Sequence, residues 1–205
     1  MLHQALQQLP LVAILRGVKP DEVELIAEAL YAEGFRVIEV PLNSPQALDS
    51  IARLSRSMPA DALIGAGTVL SADAVRDVQI AGGKLIVMPH ADVAVIRVAK
   101  ARGMACVPGA ATPTEAFAAL QAGADALKLF PAELVAPPVV KAMRAVLPKE
   151  LRLLPVGGIT PETMAAYRRA GAGGFGLGSA LYAPGLNASE VAQRARAFVQ
   201  AWHAF

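Results

Sequence analysis

At 205 residues and 21.3 kDa the chain suits one domain, residues 1–205, with a core large enough to need no covalent staples. A hydrophobic fraction of 55% and a mean hydropathy of +0.45 are high, yet charged residues interrupt every apolar run before the ~20 residues that span a bilayer, so no membrane segment is expected. The net charge of +2 comes from scattered Lys and Arg, which form no basic stripe for nucleic acid; lone Cys106 excludes an internal disulfide, and His3, His90 and His203 make no spaced metal-ligand cluster. Met1–Pro10 lacks a basic start and a small-residue cleavage site, so the expected location is the cytoplasm.

Along the chain, short apolar and β-branched runs alternate with longer segments of helical period, the pattern of repeated βα units around a parallel sheet. The spacing predicts strands near Leu11–Arg16, Val37–Leu42, Leu63–Gly67, Leu85–Pro89, Met104–Pro108, Ala126–Pro131, Leu153–Gly157 and Gly174–Gly178. It predicts helices over Asp21–Glu33, Pro45–Met58, Ser71–Ala81, Asp92–Arg102, Thr112–Ala122, Pro138–Leu147, Thr160–Ala170 and Ser189–Trp202, several with an early cap residue or proline. Gly34, Gly82, Gly103, Gly123 and Gly171 supply the stops. Eight strands, each followed by a helix, read as an α/β fold of the (β/α)8 TIM-barrel type with short loops. A doubly wound open sheet fits less well, because the first strand ends in Arg16-Gly17 instead of a glycine-rich nucleotide fingerprint. In a barrel, polar residues at the carboxyl ends of the strands build the active site.

The sixth strand carries a lysine in an otherwise apolar run, Ala126-Leu127-Lys128-Leu129-Phe130-Pro131. Strand alternation puts Lys128 with Ala126 and Phe130 on the inner face, and Leu127 and Leu129 toward the helices. Desolvation would lower the lysine pKa and supply the neutral amine that a Schiff-base nucleophile needs; the alternative is a lysine that snorkels to solvent or pairs with an acid. Glu39, in Val37-Ile38-Glu39-Val40-Pro41-Leu42, shares the inward face of its strand. It is either a proton shuttle for chemistry at Lys128 or an ion-pair partner that neutralises it.

Arg16 ends the first strand on the face of Val12 and Ile14, where its guanidinium could take a carboxylate in bidentate fashion or remain a surface residue. Gly65-Ala66-Gly67-Thr68 offers a hydroxyl and close backbone approach, or packing alone. Val156-Gly157-Gly158-Ile159-Thr160 and Gly176-Leu177-Gly178-Ser179 follow the last two strands, the positions where this fold commonly binds phosphate; tight turns are the other reading of those glycines.

With these segments placed, the chain resembles the 2-keto-3-deoxy-6-phosphogluconate/galactonate aldolases over nearly its full length. The resemblance rests on Ile14-Leu15-Arg16-Gly17, Val37–Leu42, Gly65–Leu70, Lys128-Leu129-Phe130-Pro131 and Gly157-Gly158-Ile159-Thr160, in the family's order and spacing. It implies that Lys128 forms the Schiff base, that Glu39 moves protons, and that Gly157, Gly158, Gly178 and Ser179 hold the phosphate. It further implies that Thr68 lines the pyruvate end, that no cofactor or metal is needed, and that the chain forms a homotrimer. In the gluconate branch an arginine follows the glutamate and binds the substrate carboxylate; here Asn43, in Pro41-Leu42-Asn43-Ser44, stands in its place, which makes Arg16 the candidate. Val156, where the gluconate branch tends to carry threonine, also resembles the galactonate branch. The partners so implied are pyruvate and a phosphorylated keto sugar acid, with the galactonate epimer favoured over the gluconate one. An isomerase or epimerase on the same barrel would share the phosphate loops and lack the covalent lysine.

Overall fold

The computed structural model describes Met1 to Ala204. A short helix, α1 (Leu2–Gln8), precedes β1 (Leu11–Ile14). The remaining elements are α2 (Val23–Ala32), β2 (Val37–Pro41), α3 (Ala47–Ser57), β3 (Leu63–Gly67), α4 (Ala72–Ile80), β4 (Leu85–Val87), α5 (Val93–Ala101), β5 (Ala105–Val107), β6 (Gly109–Ala110), α6 (Pro113–Gln121), β7 (Leu127–Leu129), α7 (Pro137–Val146), β8 (Leu153–Pro155), α8 (Pro161–Arg169), β9 (Phe175–Leu177) and α9 (Ala188–His203).

All strand pairs are parallel, in one sheet of order β5-β4-β3-β2-β1-β9 and another of order β6-β7-β8. A parallel bridge from Val156 to Gly176 connects the end of β8 to β9. Two features depart from the sequence reading. The strand expected at Met104–Pro108 ends at Val107 and resumes as β6 beyond Pro108, which has no N–H to give a ladder. Helix α1 occupies residues over which the sequence pattern predicts no element.

Helix starts follow the local chemistry. The Ser71 side chain accepts from the Ala74 N–H and Asp92 accepts from the Ala94 and Val95 N–H groups. Thr112 with Glu115, and Asn187 with Glu190, close full capping boxes at α6 and α9. Each such cap is worth about 1 kcal/mol. The five glycines expected to stop helices all sit at positive φ, between 69° and 103°.

Alternation along the strands divides the core in two. Leu127 and Leu129 of β7, like Ala13, Ile38 and Ile86, belong to the large cluster between strands and helices. Ala126, Val12, Val37, Leu63, Leu85, Val87, Val107 and Leu154 form a second cluster on the opposite strand faces. Leu2, Ala5 and Leu6 of α1 pack onto this inner cluster, which accounts for the burial of an otherwise polar N-terminal helix.

Candidate active site

Glu39 and Lys128 lie on those inner faces, one pleat further along their strands than Val37 and Ala126. Both are buried, at 1% and 5% exposure, and the other buried polar residues among the described residues are only Ser44 and Ser50. The period-2 reading of both strands is therefore correct for these two residues. Register fixes their neighbours: Glu39 aligns with Ile14 on β1 and Gly65 on β3, and Lys128 with Gly109 on β6 and Leu154 on β8.

Burial dominates the electrostatics of the pair. It lowers the Lys128 pKa; the Glu39 charge opposes that shift, and the Arg16 charge adds to it. Burial pushes the Glu39 carboxyl up to about 7, against smaller opposing effects of Lys128 and Arg16. Lys128 Nζ sits 4.5 Å from the centre of the Phe130 ring. The two groups sense one another without being joined in a salt bridge, and the ion pairs among the described residues lie elsewhere, at partly or fully exposed positions. Glu39 Oε2 has no hydrogen-bond partner. A buried carboxyl oxygen left unpaired is costly when charged, in keeping with the raised pKa.

A cleft of about 370 Å³ opens beside Lys128. Its lining brings together the expected Arg16, Val156, Gly157, Gly158, Gly178 and Ser179, and adds Ile14, Phe130, Ile159, Thr160, Gly176 and Ala180. Phe130 is legible from its place on the Lys128 face, and Ile159, Thr160 and Gly176 belong to the two glycine loops read from the sequence; Ala180 carries no signal beyond adjacency to them. Gly157 and Gly158 have φ of 113° and 58°, which turns the chain sharply just before α8 begins at Pro161. Backbone N–H groups in such a turn beside a helix N-terminus suit an anion. The segment after β7 supports this loop: Ala132 N–H donates to Val156 O at 2.8 Å, and Tyr167 Oη donates to Ala132 O at 2.8 Å. Val156 packs closely over Gly176, where a Cβ would come within 2.6 Å of its Cγ2.

Glu39, Thr68 and Asn43 lie outside that lining; Glu39 shares with Lys128 a smaller apolar cavity further in, lined by Val12, Val37, Leu85 and Leu154. Thr68 is half-buried with φ of 55°, an unfavourable backbone for a β-branched residue. Asn43 is exposed, and its Oδ1 accepts from Arg16 Nη1 at 2.7 Å. Neither glycine of Gly65-Ala66-Gly67 approaches the cleft. A Cβ at residue 65 would overlap the Leu85 backbone, and one at residue 67 would overlap the Glu39 carboxylate. Packing explains the motif.

Residues 2–201 match the family model described as KDPG and KHG aldolase. The chain is 49% identical to the "Probable 2-dehydro-3-deoxy-6-phosphogalactonate aldolase" of Rhizobium meliloti (strain 1021), over 95% of this chain and 92% of that protein. It is 48% identical to the 2-dehydro-3-deoxy-6-phosphogalactonate aldolase of Escherichia coli (strain K12), over 95% of each. The structure described as native KDPGal superposes with a TM-score of 0.94 at 47% identity, covering 96% of both chains. A KDPG aldolase from Legionella pneumophila, captured with pyruvate as a covalent carbinolamine intermediate, superposes with a TM-score of 0.82 at 25% identity over 100% of this chain and 97% of that one. With a family model spanning almost all its residues and two relatives near half identity, this chain belongs to the KDPG and KHG aldolases.

Proposed function

We propose that the chain cleaves 2-dehydro-3-deoxy-6-phosphogalactonate to pyruvate and glyceraldehyde 3-phosphate through a Schiff base on Lys128. The observation that supports this reading is Lys128, the one buried lysine among the described residues, its pKa lowered by burial, lining one cleft together with residues of both glycine loops. Lys128 Nζ attacks the C2 carbonyl, and loss of water from the carbinolamine leaves an iminium. Glu39, poised near pH 7, takes the C4 hydroxyl proton, directly or through water. The C3–C4 bond breaks, its electron pair enters the iminium to form an enamine, and C4 leaves as the aldehyde of glyceraldehyde 3-phosphate. Protonation at C3 and hydrolysis of the imine release pyruvate and restore the free amine. Gly157, Gly158, Gly178 and Ser179 hold the phosphate, Arg16 takes the carboxylate, and Thr68 borders the three-carbon end.

Borohydride reduction in the presence of pyruvate tests the reading. A stable adduct is expected on the Lys128 peptide, and Lys128→Ala should lose both adduct and activity. Label on Lys84, Lys100 or Lys141 would overturn it. The galactonate substrate is preferred over its gluconate epimer because the parent names of both near-half-identical relatives specify it. Val156 and Asn43 are the residues assigned to that preference, and relative kcat/KM for the two epimers checks it.

The wider architecture follows the same reading. We infer that the two sheets are arcs of one closed (β/α)8 barrel in a single domain; β5 and β6 are consecutive around Pro108, and the Val156–Gly176 bridge supports closure on the other side. A cytoplasmic homotrimer is the expected assembly. Exposed Leu25, Ile80, Leu134 and Val146 support self-association, and light scattering on the purified protein measures the mass.

A further inference from the structure

Arg16 is an exposed residue at the tip of β1, and a long flexible side chain there would ordinarily sample many directions. It does not hang free. Its Nη1 donates to Asn43 Oδ1 at 2.7 Å, and the next residue, Gly17, donates its N–H to Ser44 Oγ at 2.9 Å. Two adjacent residues after β1 are thus fastened to two adjacent residues after β2. Ser44 is 7% exposed, and its own N–H donates to Pro41 O at 2.8 Å, so the receiving side of this clasp is a fixed turn. Gly17 is confined from the other side as well. Its φ is 85°, and a Cβ there would come within 2.7 Å of Pro184 Cγ.

We infer that Asn43 is a positioning residue that aims the Arg16 guanidinium at the substrate carboxylate. The inference rests on the reading of Arg16 as the carboxylate partner. Asn43 uses one of five guanidinium N–H groups and leaves the Nε–Nη2 edge for both oxygens of an incoming carboxylate. The choice of an amide matters. A neutral acceptor orients Arg16 while leaving its positive charge uncompensated, and no salt bridge among the described residues involves Arg16. An aspartate at the same position would hold the same nitrogen and spend the charge that the ligand needs.

A double-mutant cycle tests this, reading the pyruvate concentration that half-saturates borohydride trapping at Lys128. Inorganic phosphate as an inhibitor of sugar-acid cleavage serves as the control for the other end of the site. Asn43→Ala should raise half-saturating pyruvate by roughly three- to tenfold, leave phosphate inhibition unchanged, and have no further effect when Arg16 is already alanine. Asn43→Asp should raise it as well, despite keeping the hydrogen bond, because the added carboxylate competes with pyruvate for Arg16. An equal effect of Asn43→Ala with and without Arg16 would overturn the proposal, as would no effect in the native background. Should Arg16→Ala itself leave pyruvate half-saturation unchanged, the carboxylate role of Arg16 fails first, and the positioning role falls with it.

Discussion

The carboxylate of Glu39 occupies the space that a side chain on Gly67 would fill. Glu39 aligns with Gly65 on the neighbouring strand, and its side chain runs one pleat further to lie over Gly67, a position open to it because residue 67 ends at Cα. Gly67→Ala should therefore displace Glu39 without touching any residue of the cleft. Activity should fall by roughly 10²-fold or more, as expected when a proton-transfer group is misplaced. Pyruvate trapping at Lys128 and kcat for cleavage, measured together, check this; full activity in Gly67→Ala would show that Glu39 tolerates another position.

Glu39→Gln should fold and lose roughly 10²–10⁴-fold in kcat. Stability should move the other way. Burial raises the Glu39 pKa from its ordinary value of 4.5 to about 7, so the folded state holds the proton more tightly than the unfolded chain. The resulting stability is fully present below the unfolded value and is lost as pH rises through about 7. Glutamine removes that loss. Thermal melts should show Glu39→Gln more stable than the native protein above pH 7, with the difference shrinking toward pH 5. Unchanged kcat with a lower Tm would instead make Glu39 a counter-ion for Lys128.

Arg16→Ala should weaken both pyruvate trapping and sugar-acid cleavage, since the two ligands share a carboxylate. Loss of a charge-assisted contact is worth about 1.5–3 kcal/mol, or roughly ten- to hundredfold. Arg16→Lys should recover only part, because an ammonium lacks the planar fork. A higher KM for the phosphorylated substrate with unchanged pyruvate trapping would place Arg16 at the phosphate end and reverse the bound orientation.

Thr68 carries strain that a glycine would relieve. A β-branched residue at φ of 55° pays roughly 1–2 kcal/mol, and Thr68→Gly trades this against the greater entropy of an unfolded glycine. Denaturant melts should change by less than about 1 kcal/mol, while pyruvate trapping weakens through loss of the hydroxyl. A large loss of stability with unaltered trapping would make Thr68 a packing residue.

Much of the site was legible because strand alternation is a strict rule. Lys128 and Glu39 were assigned their faces from apolar neighbours alone, and the glycine loops announced themselves by composition and by following the last two strands. What escaped depended on contacts between loops. Arg16 and Asn43 are separated by 27 positions, and nothing in their local sequence signals a bond between them. Gly67 was ambiguous for a related reason: its need for space arises on the adjacent strand. The split at Pro108 and the helix α1 were missed because the first is a one-residue break inside a continuous apolar run, and the second becomes worthwhile only once an inner cluster exists for Leu2, Ala5 and Leu6 to cover.

That covering helix has a kinetic meaning. The inner cluster that α1 covers is apolar, and of the residues that line the cleft with Lys128, Gly158 and Ser179 are exposed. On the proposed roles, what is bonded to the buried lysine sits deeper than what the exposed glycine loops hold. On the proposed mechanism the covalent bond sets one order: the phosphorylated aldehyde departs first, the three-carbon acid last, and in the synthetic direction the acid must already be in place before the aldehyde arrives.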